Sequence, residues 1–337
     1  MSTKLLSIVV PTYNMSAYLC RCLDSVTRDD VPDTLELIVV NDGSTDNSLS
    51  IMQEYAKKRP DIVNIIDKTN GHYGSCVNAA LKVATGKYFR ILDADDWLDT
   101  EQLILFVKNV EAIDVDLIIT PRTEHRQDRI VTYSMKDMSN KILSKDAFHK
   151  IPYDNLIHLL SMHSMTYSLP FLKTLKLQLQ EGICYTDTEF YLLPLEHIKK
   201  FIYLPQNLYQ YQLNRDGQSM DFEVFKKNRH QFFKVLKRIL EEKTSSIDTI
   251  TQKRIQSLLE TYYGMLLFEI PLTSSDQEDM LVLRHKIKSF TFKHWEKLNK
   301  KLFYTPYLWE KTGKNMFFYT KIKKIFGISR IFFREKQ

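Results

Sequence analysis

The apolar residues of the first 120 positions fall into short β-branched runs separated by amphipathic stretches. Runs at 6–11, 35–40, 62–67, 87–93 and 115–120 predict strands. Between them, Leu19, Leu23 and Val26 recur at helical spacing within 16–27, and Leu49, Ile51, Met52 and Tyr55 give 44–58 an apolar stripe. Residues 73–84 and 101–112 also read as helices, the first stopped by Gly86. Strands alternating with helices at this spacing predict an α/β fold, a mostly parallel sheet with helices on both faces. From 121 to 215 the alternation loosens, with helices expected over 149–162 and 187–198 and a short extended piece over 199–204. From Asp221 onward the pattern is almost all helical, broken at Pro271 and Pro306.

In open sheets of this kind, ligands bind outside the carboxyl ends of the strands. The polar clusters fall there: Thr12-Tyr13-Asn14 after the first strand, Asn41-Asp42-Gly43 after the second, Asp93-Ala94-Asp95-Asp96 after the fourth. They predict one composite pocket. Three carboxylates within four residues repel one another and need a counter-charge, which Mg²⁺ or Mn²⁺ supplies through hard oxygen ligands. The plainer alternative is a loop that caps the helix near Thr100, a task Asp99 or Thr100 can perform alone.

The other motifs are weaker alone. Asp42 can accept hydrogen bonds from a base or ribose, while Ser44 is placed to cap the helix that follows. Asn70-Gly71-His72-Tyr73-Gly74-Ser75 carries two glycines whose backbone N–H groups can approach a phosphate, or is simply a helix-entry loop. Asp187 and Glu189 stand at i and i+2, so on a helix only one can face a pocket, and Asp187 is also a natural N-cap. Arg215 offers a cation to a leaving phosphate, or is a solvated loop residue. There is no G-x-G-x-x-G and no P-loop, so dinucleotide and P-loop chemistry lose their usual marker.

Taken in order, Ile8-Val9-Val10-Pro11-Thr12-Tyr13-Asn14, Ile38-Val39-Val40-Asn41-Asp42-Gly43-Ser44-Thr45-Asp46, Asn78-Ala79-Ala80, Ala84-Thr85-Gly86-Lys87-Tyr88 and Ile91-Leu92-Asp93-Ala94-Asp95-Asp96 resemble the successive signatures of the family 2 glycosyltransferases. The likeness is close over 5–120 and looser through 185–190 and 209–219. It implies a GT-A (Rossmann-like) fold and an inverting, metal-dependent enzyme of hexosyltransferase type, using Mn²⁺ or Mg²⁺ and a nucleotide-sugar donor, with UDP the leading nucleotide. By the same resemblance, Pro11, Tyr13, Asp42, His72 and Asp95 contact the nucleotide, Asp93, Asp95 and Asp96 hold the metal, Asp187 is the catalytic base and Arg215 lies near the diphosphate. The implied division is a catalytic domain over 1–220, with nucleotide-sugar binding in 1–120 and the acceptor side in 121–220, followed by a helical region over 221–337.

Composition sharpens the picture. The 337 residues fit two domains, and 44% apolar with 26% charged residues excludes wholesale disorder. The four cysteines have no zinc-ribbon spacing, and a disulfide framework is improbable at this length, so a reducing cytoplasmic setting is expected. The first apolar run is too short for a signal peptide, and no stretch approaches the ~18–20 apolar residues of a spanning helix. The net charge of +6 hides an asymmetry: residues 284–336 hold 15 Lys/Arg against 3 Asp/Glu, a net of +12, leaving −6 for the rest.

In the tail, Phe318, Ile322, Ile325 and Phe326 recur at helical spacing among Lys321, Lys323, Lys324, Arg330 and Arg334. That pattern fits an interfacial helix on anionic lipid, or an apolar stripe docked on the body, with Gly327 weakening one continuous helix. The expectation is peripheral attachment to the inner membrane face through 314–337, near a carbohydrate or lipid-linked acceptor in surface polysaccharide or glycolipid synthesis. Three rivals remain. A sugar nucleotidyltransferase would want a Gly-rich, basic loop where Pro11-Thr12-Tyr13-Asn14 stands. A catalytically silent binding protein would not need the Asp93–Asp96 cluster or Asp187. A nucleic-acid partner would use the tail, and is not expected beside a sugar-transfer site.

Overall fold

A computed structural model describes residues 3–135, 140–151, 156–213, 218 and 222–242, together with 254, 255, 257, 258, 278, 279 and 282. The chain divides into two compact units, Met1–Asp221 and Phe222–Gln337.

The first unit opens with β1 (Leu6–Thr12), α1 (Ser16–Thr27), β2 (Leu35–Asp42), α2 (Ser48–Lys58), β3 (Val63–Lys68), α3 (His72–Val83) and β4 (Tyr88–Ile91). These strands are parallel in the order β3-β2-β1-β4. Moving outward through β2 to β3 and then returning past β1 to β4 reverses the winding. Right-handed crossovers therefore put α1 and α2 on one face and α3 on the other. Accordingly α1 packs on α2, and α3 packs on β1 and β2. Residues of β2 are buried throughout, which is why its run is apolar rather than alternating. The reversal at β1/β4 is a topological switch point, where such sheets leave a crevice at their carboxyl ends.

The other half is less regular. β5 (Trp97–Leu98), α4 (Thr100–Val110), β6 (Leu117–Ile119), β7 (Arg122–His125), β8 (Ile130–Tyr133), β9 (Ile142–Ser144) and α5 (Lys145–Lys150) lead to β10 (Met165–Ser168). α6 (Leu169–Thr174), α7 (Asp187–Leu192), β11 (Lys200–Tyr203) and β12 (Tyr209–Gln212) complete the unit. β10 inserts antiparallel between β4 and β6, and β11 and β9 finish an eight-stranded sheet. A second sheet runs β5-β12-β7-β8.

Several local expectations change. Helix α2 starts at Ser48, not near residue 44. The Ser44 hydroxyl accepts from the Asn14 N–H, while the Asp46 carboxylate accepts from the N–H groups of Ser48 and Ser16. These bonds hold the Asp46 pKa down at about 2, against the opposing pull of its burial. Residues 149–162 do not form one helix: α5 ends at Lys150, before Pro152, and Ile157–Leu159 is a separate 3₁₀ turn. Residues 187–198 break at Pro194 into α7 and a 3₁₀ turn at Leu195–His197. Gly86 is not the stop of α3, which ends at Val83. It sits against β1 instead, where a Cβ would lie 2.6 Å from the Ser7 backbone nitrogen. Its N–H donates to the Ser7 hydroxyl, which in turn donates to the buried Glu36 carboxylate at 2.5 Å.

In the second unit, α8 (Phe222–Glu242) carries Phe225, Phe232, Leu236 and Ile239 at helical spacing, and Phe225 meets Phe232 edge-on. Among the described residues no helix is long and apolar enough to cross a membrane. The tail at 314–337 lies outside the described residues. Cys20, Cys22, Cys76 and Cys184 are free thiols.

Helix α3 approaches the segment before α7 so closely that a Cβ on Gly74 would stand 2.0 Å from the Gln180 carbonyl oxygen. Gly74→Ala gains about 1 kcal/mol of helix propensity but forces backbone apart, at about 1–3 kcal/mol. The clash is backbone on backbone, so it outweighs the gain. The expected result is a lower urea midpoint with an unchanged slope. An unchanged or higher midpoint would mean that α3 and residue 180 do not meet this closely.

Candidate active site

Four strand ends deliver polar side chains to the crevice. From β1 come Pro11, half-buried, and Tyr13, exposed, followed by Asn14 in the left-handed region at φ 53°. Its side chain accepts from the Thr45 N–H and so joins the first two strand-end loops. From β2 comes Asp42, whose side chain is 3% exposed. Its Oδ1 accepts from Lys68 Nζ at 2.6 Å and the Gly71 N–H at 2.9 Å, and the Ser75 hydroxyl oxygen lies 3.5 Å away. The Gly71 N–H, one of the two glycine N–H groups able to approach a phosphate if the segment is not simply a helix-entry loop, is committed to Asp42. The His72 N–H faces the Asn70 side chain at 3.3 Å. His72 is exposed, opens α3 at φ 63°, and its Nδ1 stands 3.9 Å from Cys184 Sγ.

After β4, the 93–96 turn closes with the Asp96 N–H donating to the Asp93 carbonyl. Capping of α4 falls to Asp99, which accepts from the Gln102 N–H, so the cluster itself serves no cap. Asp96 is fully buried. Its Oδ2 accepts from the Tyr209 hydroxyl at 2.7 Å and its Oδ1 from the Gln212 N–H at 2.8 Å. Burial first, then repulsion from Asp95 and Asp93, pushes its carboxyl well above the ordinary range, while those two hydrogen bonds oppose the rise. The Asp93 N–H donates back to the Tyr209 hydroxyl, and the Tyr73 hydroxyl donates to Asp93 Oδ1 at 2.8 Å.

Asp93, Asp96 and His163 bring ligand atoms within 4.8 Å of one another. Asp95 is not part of this trio; its backbone carbonyl accepts from Arg21, whose guanidinium also lies 4.0 Å over the Trp97 ring. Two carboxylates and an imidazole fit a divalent cation of the Mn²⁺ kind better than an all-oxygen Mg²⁺ shell. Repulsion from Asp95 and Asp93 adds to burial in raising the Asp96 carboxyl, and a cation there would relieve it. His163 is placed from both sides. Its ring stacks on Tyr211 at 4.2 Å and meets Tyr209 edge-on at 4.8 Å. Its carbonyl accepts from the fully buried Arg90, which also donates to the Thr166 hydroxyl at 2.8 Å. Burial draws the Arg90 pKa down to about 10.

Asp187 is the half-buried first residue of α7 and Thr186 stands at the N-cap, so the N-cap alternative is not realised. Glu189 is the residue turned inward: it is fully buried and accepts from the Gln180 N–H. After burial itself, the Asp93 and Asp187 charges raise the Tyr73 hydroxyl, and Asp96, Asp93, Asp95 and Asp187 together raise Tyr211. Asp187 and the acidic turn therefore act on the same two tyrosines. Arg215 lies outside the described residues.

Sequence reasoning missed Lys68, Tyr73, His163, Tyr209 and Gln212. Lys68 was findable, since it ends β3 beside the other strand-end clusters. His163 carried no local signal, because only the insertion of β10 next to β4 brings it under the acidic turn.

Residues 7–172 match the family model described as Glycosyl transferase family 2. The chain is 31% identical to the uncharacterized glycosyltransferase EpsJ of Bacillus subtilis (strain 168) over 141 residues, 42% of this chain and 40% of that protein. It is 41% identical to the chondroitin synthase of Pasteurella multocida (strain Pm70) over 104 residues, 31% of this chain and 11% of that protein. The matched stretches thus span less than half of either relative. Among solved structures, S. aureus TarS 1–349 in complex with UDP-GlcNAc superposes with a TM-score of 0.72 at 18% identity, over 96% of this chain and 92% of that one. That likeness establishes the fold, an α/β architecture of GT-A type with a central, mostly parallel sheet flanked by helices.

The Tyr209 hydroxyl favours the ionised form of Asp96, so Tyr209→Phe raises the Asp96 pKa further. A carboxyl whose folded-state pKa lies above its unfolded one makes the folded protein bind more protons, so its stability falls as pH rises. The expected loss in Tyr209→Phe is about 1–3 kcal/mol where Asp96 is ionised and smaller at pH values where it is protonated, read as the difference in urea unfolding from the wild type across a pH series. A loss that does not change with pH would separate Tyr209 from the charge on Asp96.

Proposed function

We propose, from the premise that this chain belongs to glycosyl transferase family 2 through residues 7–172, that it moves a sugar from a UDP-sugar to an acceptor hydroxyl with inversion. The acceptor is a carbohydrate or lipid-linked sugar in surface polysaccharide or glycolipid synthesis. The observation that supports this reading is that Asp42 on β2 and the acidic turn after β4 both stand at the carboxyl edge of the parallel strands, while Asp187 on α7 acts on the same tyrosine as that turn.

In this reading Pro11, Tyr13 and Asp42 hold the nucleobase, and Asp95 and His72 approach the rest of the nucleotide. Asp93 and Asp96 with His163 would hold a divalent cation, with Asp95 as the further candidate beside them. When bound, that cation neutralises charge developing on the leaving diphosphate. Arg215 adds a cation near the same group. Asp187 takes the proton of the acceptor hydroxyl as it attacks the anomeric carbon, since a hydroxyl is a weak nucleophile at neutral pH. Tyr73 and Tyr211 stay protonated beside it, because burial and the neighbouring carboxylates hold their pKa values above the ordinary tyrosine range. In-line displacement with inversion would require the base and the diphosphate to stand on opposite sides of the sugar. Glu189 is excluded as the base by its burial and its bond to the Gln180 N–H.

The catalytic domain covers 1–220 with the acceptor side in 121–220, and 221–337 forms a helical region whose basic tail, 314–337, attaches to an anionic inner membrane face. The UDP-GlcNAc bound by the TarS structure and the polymer named for the Pasteurella relative support the nucleotide-sugar donor and the polysaccharide setting.

Asp187→Asn separates this reading from a silent binding protein. The expected outcome is retained UDP binding with transfer reduced about 10²–10⁴-fold, the usual contribution of a positioned base. The assay is release of UDP from UDP-sugars in the presence of acceptor and Mn²⁺. Transfer at the wild-type rate would remove Asp187 as the base.

A further inference from the structure

Lys68 lies outside the expected site, yet it makes the shortest bond to Asp42. Its ammonium reaches Asp42 Oδ1 at 2.6 Å, the Thr69 carbonyl at 2.6 Å and the Ser75 hydroxyl at 2.9 Å. An ammonium has three N–H donors, so this one is fully committed. Ser75 is held in turn by donating to the His72 carbonyl at 2.7 Å. Both donors that meet the Asp42 carboxylate, Lys68 and the Gly71 N–H, meet it at Oδ1. Among the described residues none donates to Oδ2.

We propose that Lys68 is a positioning residue for nucleobase selection: by occupying Oδ1 it fixes which oxygen of Asp42 reads the base, and thereby sets a preference for uracil over cytosine. This deepens, and rests on, the nucleotide-sugar reading of the site. The two bases differ at one edge. Uracil offers an N3–H donor flanked by two carbonyl oxygens; cytosine offers a bare N3 acceptor beside an amino group. An ionised oxygen held opposite position 3 attracts the first and repels the second. A carboxylate free to swing could instead reach the cytosine amino group and accept from it. Discrimination therefore depends on immobilising Asp42, not only on having a carboxylate there. A site built around fixed, buried polar groups rejects a mismatched partner far better than an adaptable one.

The test is the ratio of CDP to UDP dissociation constants, by calorimetry on the full chain with Mg²⁺, for the wild type, Lys68→Met, Ser75→Ala and Asp42→Asn. The wild type is expected to prefer UDP by tenfold or more, and Lys68→Met to lower that ratio about tenfold, mainly by weakening UDP, the scale of one charge-assisted bond. Ser75→Ala, which removes one acceptor of the Lys68 ammonium, is expected to lower it about two- to threefold, and it serves if Lys68→Met does not fold. General loosening of the pocket would weaken both nucleotides together and leave the ratio standing, which would overturn the proposal. Asp42→Asn, whose amide can donate or accept, should abolish the ratio whatever Lys68 does. If Asp42→Asn abolishes it and neither other variant moves it, the role of Lys68 is wrong while the site reading stands. If Asp42→Asn leaves the ratio intact, or the wild type binds neither nucleotide, the site reading itself fails.

Discussion

Asp96 is a carboxylate with no exposed surface, in a turn with two other carboxylates. Burying a charge there is unfavourable unless partners offset it, and a large part of the fold supplies those partners. Tyr209 and Gln212 come from β12, so the second sheet must run past the end of β4 to deliver them. Arg21, from α1, ties the Asp95 carbonyl and the Gln212 side chain together. Cys22 lies beneath the turn, and burial with the three aspartates keeps its thiol protonated. Satisfying hydrogen bonds does not remove the negative charge, however, and the Asp96 pKa stays raised. Burial first, then repulsion from Asp95 and Asp93, keeps it up, and a cation would relieve the repulsion.

The same logic separates the other acids. Asp42 and Glu36 are also buried, but each meets donors close at hand: Lys68 and the Gly71 N–H at one oxygen of Asp42, Ser7 and Thr85 at Glu36. Glu189 is buried against backbone, while Asp187, two residues earlier, stays half-buried near the acidic turn. Environment sets these five carboxylates apart: Asp96 is buried beside two other acids, Asp42 is paired to Lys68, Glu36 and Glu189 are pinned by hydrogen bonds, and Asp187 stays half-buried.

The half of the fold built from β1 to β4 was legible because parallel strands buried on both faces read as apolar runs, and their ends name the site directly. Asp42, the acidic turn and Asp187 follow from that rule and from resemblance. The remainder was not legible for physical reasons. β5, β6, β9 and β10 are only two to four residues long, too short for a period to show. Ser44 looked like a cap because Ser caps helices, but Asn14 competes for its hydroxyl and Asp46 takes over the start of α2. His163 and Arg90 are joined by contacts about seventy positions apart in sequence, which no local pattern encodes.

Asp93, Asp96 and His163 offer one site for a divalent cation at the carboxyl edge of the sheet. Crystals grown with UDP and Mn²⁺, with an anomalous map recorded at the manganese edge, address it directly. The account predicts one peak about 2–2.5 Å from a carboxylate oxygen of Asp93 or Asp96 and from a ring nitrogen of His163. A nucleotide bound with no peak there, or a peak held by Asp95 alone and remote from His163, would contradict it.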